Sequence, residues 1–562
     1  MKRKKHSRLN KNNSKKTAVQ VEFVLDSSRD NERVLKAFNI PYEFYSADEG
    51  RQVSKELNKR DFGNRKDLRH LPFVTVDGIH AKDFDDAIYI EPLQKGWKAF
   101  ISVADVSWYV KEKGNLDKEA YLRGNSTYFP NFVAPMLPFY LSQGLCSLNP
   151  HVPRLTMTVE LHFDSNGNQK KSFFYESVIC SQARLTYEEA QDIIDGNSCV
   201  SPVVQNSIKS GAQLARVLMD RRFKKGALNL ELDEVEIFLD LNGQPLNIVQ
   251  TQRLFSHKLI EELMLACNRA VAEFLNKKKI AIMYRVHENP RSEDLSHLNQ
   301  FLQSVDPRAS LFEKKKTFKK QKSLALQLSQ FVRKMKEHPK KTIMHYLILR
   351  ALPQAHYSAY NKGHFGLQFE KYLHFTSPIR RYSDLVVHRI LKNVLKKSNR
   401  FISDRELEAT AQFLSQCEQR SVKAERFMEN IKKARFMTKH IGEEFSGTIS
   451  SVTKFGFFVT LDEHSVDGLV HINNLGGRWR FHPSQLLLRA YPSGYTFRQG
   501  DEVSVRVAMS NVEEGYIDFE LVGHKDKKFY QMELARSKRS SFRNRRKKNT
   551  CSTKSKKYRR SI

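Results

Sequence analysis

TVDGIHAKDFDDAIYI (75–90) sets four aspartates, Asp77, Asp83, Asp85 and Asp86, into ten residues. The flanks, LPFVTV before and AIYI after, are apolar and strand-like. Like charges this close repel, and a buried carboxylate without a partner is costly. Something positive is therefore expected at this point of the fold. A calcium loop does not fit: with Asp83 first, the fifth position is Ala87, the sixth is Ile88 rather than glycine, and the twelfth is Gln94. A solvated acidic turn conflicts with the apolar flanks. Pairing with Arg or Lys alone suits one or two carboxylates better than four. A hard divalent cation bound by oxygens suits all four, Mg2+ first and Mn2+ also, and such ions act on phosphodiesters.

The rest of the composition is compatible with that chemistry. The chain has 562 residues, 40% of them hydrophobic and 11% aromatic, enough for more than one core. Its formal charge is +33. Residues 1–16 carry eight Lys/Arg, residues 536–560 carry thirteen, and neither stretch has an acid, which leaves +12 for the body. A polyanion is the expected partner, nucleic acid rather than a membrane surface. Residues 1–20 and 524–562 read as basic disordered tails. No apolar run reaches the roughly 18 residues of a membrane span. The basic N-terminus has no hydrophobic stretch behind it, so it does not read as a secretory signal, although its Ser- and Asn-containing, acid-free start would suit a transit peptide. The six cysteines (146, 180, 199, 267, 417, 551) form no CxxC pair and read as reduced thiols of a cytoplasmic protein.

Working outward, residues 21–70 read as an ordered lead-in with a helical patch, NERVLKAFNI. FVTV, DAIYI, WKAFISVADVSWYV, RLTMTVELHF and SFFYESVICSQARLTY read as strands. Between them, STYFPNFVAPMLPFYLSQGLCSL (126–148) is too apolar for a plain surface loop. From about 185 to 440 the pattern is mainly helical. In 257–278 the residues Ile260, Leu263, Met264, Cys267, Ala270, Val271 and Phe274 form a core-facing stripe, and 402–437 reads as one long amphipathic helix or two. Residues 443–522 alternate apolar and polar with glycines at turns, as in a five-stranded barrel of the OB type. The fold class is α+β.

In TSPIRRYSDLVVHRIL (376–391), Pro378 closes an extended segment and a helix follows. Arg380 and Arg381 stand at its start, where cations oppose the macrodipole. Two readings remain open for them: a docked phosphate, which guanidinium groups and a free helix N-terminus would grip, or structural salt bridges, including bridges to the aspartates.

These two blocks, with VADVSWYV, STYFP, PMLP, LSQGLCSLNP and YRVHENP between them in order, resemble the RNB-domain exoribonucleases of the ribonuclease II family, most of all its bacterial ribonuclease R branch. The resemblance runs from about residue 22 to 523. It implies an RNB catalytic domain over 71–440 and an S1 RNA-binding domain over 441–523. It also implies processive, Mg2+-dependent hydrolysis of single-stranded RNA from a free 3′ end to nucleoside 5′-monophosphates, by a monomer. By the same resemblance Asp77, Asp83 and Asp86 organise metal. Asp85 is the aspartate tied most directly to cleavage, by orienting the attacking water or by holding a second ion. Arg380 grips the scissile phosphate, with Arg381 beside it. Tyr128 stacks on the terminal base, although read alone it would suit a core, and Glu425 stands near the 3′-terminal nucleotide.

In the S1 segment, alternation would put Phe455 and Phe457 on one base-stacking face with His471 nearby, and Phe458 inside. The alternative is that these rings are core. Two departures stand out. GGRWRFHP (476–483) replaces the acidic-aromatic segment usual after this step of S1 domains. VEFVLDSSRDNERVLKAFNIPYEF resembles the segment that follows the cold-shock domains of ribonuclease R, so a form lacking those domains, natural or truncated, is expected. A catalytically inactive RNA-binding relative, and an endonuclease or DNA nuclease, are the competing functions.

Overall fold

The computed structural model describes residues 29–44, 62–197, 200–230, 234–306, 309–311, 321–398, 400–483 and 485–524. Both basic tails and much of the lysine-rich stretch near 313 lie outside them.

The expected strands assemble into one seven-stranded mixed sheet, with two corrections: WKAFISVADVSWYV leaves the ladder after Ala104 and forms the short helix Val106–Tyr109, and SFFYESVICSQARLTY splits into two strands. The order of the sheet is Lys66–Asp67, Gln169–Cys180, Pro153–Phe163, Gly96–Ala104, Asp86–Leu93, Val74–Asp77, Ala183–Thr186. The edge pairs, Lys66–Asp67 with Gln169–Cys180 and Val74–Asp77 with Ala183–Thr186, are parallel; the inner pairs are antiparallel. The strand Asp86–Leu93 pairs along its whole length with Gly96–Ala104. It meets Val74–Asp77 only at Val74 and Ile88, so the chain between them, which holds Asp83 and Asp85, leaves the ladder. The DFDD block thus sits where the strands diverge, and that frees its carboxylates.

Helices Tyr187–Asp195, Pro202–Lys224 and Phe255–Lys277 pack together against this sheet. In Phe255–Lys277 the expected stripe is largely core: Leu263, Cys267, Ala270 and Val271 are fully or almost fully buried, and the half-buried Phe274 stacks on Phe174 at 4.5 Å. The apolar segment 126–148 is ordered, as its composition requires. It forms a hairpin, Thr127–Phe129 with Phe132–Ala134, then buries Met136, Leu137, Leu141 and Leu148.

The stretch 402–437 is one helix, Asp404–Met437, capped by Ser403 Oγ, which accepts the Glu406 N–H at 3.3 Å. It links two cores. Leu407, Ala411 and Leu414 lie in the core of the seven-stranded sheet and its helices; Ala434, Phe436 and Met437 lie in the barrel core. The N-terminal helix Asp30–Ala37, the predicted NERVLKAF patch, is held to it by a buried charge cluster. Arg435 Nη2 donates to both Asp30 carboxylate oxygens at 2.8 Å, and Lys432 Nζ donates to Asp30 Oδ2 at 3.1 Å. Helices Ser292–Val305, Gln321–Lys334 and Lys341–Ala351 form a lobe with its own core around Leu298, Leu302, Leu328 and Met344.

The five-stranded barrel closes in the order Glu444–Thr453, Gly456–Leu461, Asp467–His471, Tyr516–His524, Glu502–Asn511, with Asp467–His471 and Tyr516–His524 parallel. The departure segment adds a three-stranded sheet, Arg478–His482, Leu487–Tyr491 and Thr496–Arg498. The expected base-stacking pair is corrected here. Phe457 is 0% exposed and packs on Phe497 at 4.8 Å, whereas Phe458 is half-buried and meets the 41%-exposed Phe455 edge-on at 6.2 Å. Phe455 stands in the turn before the strand begins at Gly456, so counting alternation from it puts the strand out of register by one.

Candidate active site

Two loops that are distant in sequence meet at the aspartates. The segment Tyr372–Thr376 is extended: Leu373 and Phe375 point into the core, and Tyr372, His374 and Thr376 border a cavity of about 410 Å3. Asp384 anchors the turn that follows, accepting the Ser377 N–H at 2.8 Å and the Ser383 hydroxyl at 2.9 Å. The hairpin that carries Tyr128 is stitched to this turn by backbone bonds, Ser126 N–H to Arg380 O at 3.0 Å and Tyr382 N–H to Gly124 O at 2.9 Å. Gly124 also lets this segment lie against the long helix: its φ is +75°, and a Cβ there would stand 2.6 Å from Cys417 Cβ.

Asp77, Asp83, Asp85, Asp86, Tyr128, Arg380 and Arg381 all line this cavity. Asp85 is buried; its Oδ1 accepts the Ile379 N–H at 2.8 Å, and its Oδ2 lies 3.5 Å from Arg380 Nε. Arg380 Nη2 donates to Ser377 Oγ at 3.1 Å, and nearly half of its side chain stays exposed. Tyr128 spans the cavity mouth at 38% exposure; its hydroxyl donates to Asp83 Oδ2 at 2.9 Å. Glu425, on the long helix, accepts the Tyr128 N–H at 2.9 Å, so it supports that tyrosine. Arg381 differs from the sequence reading. Its Nη2 donates to Asp384 Oδ1 at 2.8 Å, so the structural salt bridge holds it and Arg380 is left as the exposed cation.

The electrostatics bear on whether the four carboxylates suit a metal. Burial, then Asp83, pushes Asp77 up to about 6; burial, then Asp77, pushes Asp86 up to about 8. Burial also raises Asp85, against Arg380 and the Ile379 N–H. Arg380, with lesser contributions from Arg184 at Asp77 and Arg381 at Asp86, leaves Asp77, Asp85 and Asp86 raised, and the donors are all hard oxygens, which fits a divalent cation. Among the described residues, no three of His, Cys, Asp or Glu stand close enough to enclose an ion by themselves. Coordination would therefore draw on water and phosphate oxygens, as Mg2+ commonly does.

Sequence reasoning missed part of the wall. Ile260, Met264 and Asn268, at i, i+4 and i+8, present one edge of the helical stripe to the cavity, and Tyr187 adds a ring stacked on His257 at 3.9 Å. The four-residue spacing was a usable signal that the helix edge serves the site. In the barrel, His471 lies half-buried at the end of its strand, opposite Gly456, and its Nδ1 accepts the Asn473 N–H at 3.2 Å.

The fold is thus a mixed-sheet catalytic domain whose carboxylates and arginine converge on one cavity, joined by a helix to an OB-type barrel. Residues 65–397 match the RNB domain, and 438–521 match the S1 RNA binding domain. The chain belongs to the RNB-domain family. It is 40% identical to ribonuclease R of Thermotoga maritima over 84% of this chain and 67% of that protein. It is 37% identical to ribonuclease R of Escherichia coli over 87% of this chain and 61% of that protein. The chain therefore spans about two thirds or less of these relatives' length. Mycoplasma genitalium RNase R, solved in complex with ribose-methylated single-stranded RNA, superposes with a TM-score of 0.83 at 29% identity, covering 89% of this chain and 78% of that one.

Proposed function

We propose that this chain is a processive, hydrolytic 3′→5′ exoribonuclease that converts single-stranded RNA with a free 3′ end to nucleoside 5′-monophosphates. The observation that carries this reading is the convergence of Asp85, its three neighbouring aspartates and Arg380 on one cavity fronted by Tyr128. The reaction adds water to the 5′-phosphate of the terminal nucleotide and breaks its bond to the 3′-oxygen of the preceding one. Arg380, braced by Ser377, holds that phosphate. Asp85, fixed by the Ile379 N–H, orients the attacking water. Tyr128 gives the terminal base a stacking surface that does not depend on its identity. Asp77, Asp83, Asp85 and Asp86 would hold Mg2+, or Mn2+, which supplies charge stabilisation of the phosphoryl oxygens when bound.

Phe455 and His471 of the barrel, with the half-buried Phe458 in place of Phe457, are the RNA contacts assigned there. The four cysteines described, 146, 180, 267 and 417, are free thiols, which supports a reducing, cytoplasmic setting. Among the described residues no helix is long and apolar enough to cross a membrane. Because one chain supplies all the residues of the proposed site, a monomer is the simplest assembly.

Incubation with linear RNA, its circularised form and single-stranded DNA of the same sequence, with Mg2+ and with EDTA, tests the reading. Degradation of linear RNA only, abolished by EDTA, is expected. Cleavage of the circle would make the protein an endonuclease, and binding without cleavage would make it an inactive RNA-binding relative.

A further inference from the structure

The three-stranded sheet added to the barrel has two unlike faces. Trp479 and Phe497, one residue out of phase with the arginines, turn inward and stack on each other at 5.1 Å; beside them Leu488 and Ala490 are fully buried in the barrel core. The register sets the other face. Arg478 pairs with Tyr491, and Arg480 pairs with Arg489, which in turn pairs with Thr496. Cross-strand partners share a face, so Arg478, Arg480, Arg489 and Tyr491 lie together on the outer side. All four are exposed, Tyr491 at 44%. None of the three arginines forms an ion pair with a carboxylate among the described residues.

Like charges directly opposite each other on a ladder destabilise it. Arg480 and Arg489 are such a pair, and none of the strand positions that share their face is acidic. A solvated basic patch would have no need of the pairing, whereas a polyanion lying across both strands would turn the repulsion into two phosphate contacts. The i and i+2 arginines are about 7 Å apart along the strand, so a backbone crossing the face meets several guanidinium groups. Tyr491 adds an aromatic surface to which a base can stack.

We propose that the outer face of this sheet, Arg478, Arg480, Arg489 and Tyr491, is a further RNA-binding surface, additional to the catalytic cavity and to the Phe455, Phe458 and His471 contacts of the barrel, which grips the phosphate backbone of the same RNA upstream of its 3′ end. This deepens the exoribonuclease reading and rests on it for the choice of ligand. RNA is preferred to an acidic protein because the face combines forked cations with a stacking ring.

The test is equilibrium binding by fluorescence anisotropy of the full chain in EDTA, so that no cleavage is needed and failure of the enzymatic reading would leave this result intact. The probes are a 5′-labelled 30-nucleotide RNA and a 6-nucleotide RNA, titrated between 50 and 300 mM KCl. Arg480→Gln/Arg489→Gln should weaken the long RNA on the order of tenfold and lower the salt slope by about 1.4, at about 0.7 per single-strand phosphate contact. The short RNA should bind unchanged, and Arg480→Lys/Arg489→Lys should restore the slope. The thermal midpoint of the Gln variant should not fall, since a repulsive pair has been removed. An unchanged affinity and slope for the long RNA would overturn the proposal and leave the face to an acidic protein. Equal losses for both lengths would overturn it as well, because the effect would then act through the cavity.

Discussion

At the scale of single residues, two aromatic positions either side of Gly456 separate packing from recognition. Phe457 lies wholly inside the barrel against Phe497, and Phe455 lies outside on the turn. Phe457→Ala should cost about 3–5 kcal/mol of barrel stability, read as a lowered denaturant midpoint. Phe455→Ala should leave that midpoint within about 0.5 kcal/mol and weaken RNA binding by about 1–3 kcal/mol. The reverse pattern would return Phe457 to the RNA face. The convergence of the four aspartates was legible because charge among apolar flanks has few physical explanations; Arg380 was singled out by the family resemblance, since its own flanks left a salt bridge open. Arg381 was not legible in the same way. Its commitment to Asp384 depends on a helix turn whose side-chain directions the sequence does not fix. The Phe455–Phe457 face failed for a related reason: alternation predicts faces only once the first strand residue is known, and the turn glycine hides it.

At the scale of elements, the helix Tyr382–Leu395 explains how a surface arginine is held so firmly. Its buried face includes Leu385, Val387, Leu391 and His388. His388 stacks on Phe375 at 4.1 Å, and its Nε2–H donates to Phe375 O at 2.8 Å. Burial lowers its pKa to about 4, so the folded protein keeps the ring neutral. The unfolded chain takes up a proton near pH 6.5, the ordinary value. Between pH 6.5 and 4 the unfolded state binds more protons, and stability therefore falls as the pH falls, by up to about 1.4 kcal/mol per pH unit for this residue. As the pH falls through 7, 5.5 and 4.5, the thermal midpoint of His388→Gln, which keeps a donor to Phe375 O, should gain on that of the native chain; the raised Asp77, Asp85 and Asp86 work in the opposite direction and act on both proteins alike. A constant gap between the two midpoints would mean that other groups carry the acid sensitivity. The strands, the stripe in 257–278 and the helix 404–437 were legible from period alone, since both periods persisted over long segments. The sheet at 478–498 was not foreseen: short strands alternating Arg with Trp or Phe read as a basic departure until their pairing is known.

At the scale of the molecule, one 34-residue helix carries Glu425 beneath Tyr128 and then enters the barrel core, so the catalytic cavity and the RNA-binding barrel share a rigid element. Asp30, Lys432 and Arg435 tie the N-terminal helix to the same rod. On the proposed function, RNA held on the barrel would thereby be kept in a fixed relation to the aspartates, as repeated cuts without release require. The central claim is that those aspartates support cleavage from the 3′ end. The most direct test is a time course on 5′-labelled single-stranded RNA with Mg2+, run beside Asp85→Asn, with RNA binding measured in parallel. The native chain should shorten the RNA stepwise to one short labelled product. Asp85→Asn should cut on the order of 10²-fold more slowly or worse, as when a single group that stabilises the transition state is lost, while binding RNA about as tightly. Undiminished cleavage by Asp85→Asn, or early release of the labelled 5′ nucleotide, would contradict the account.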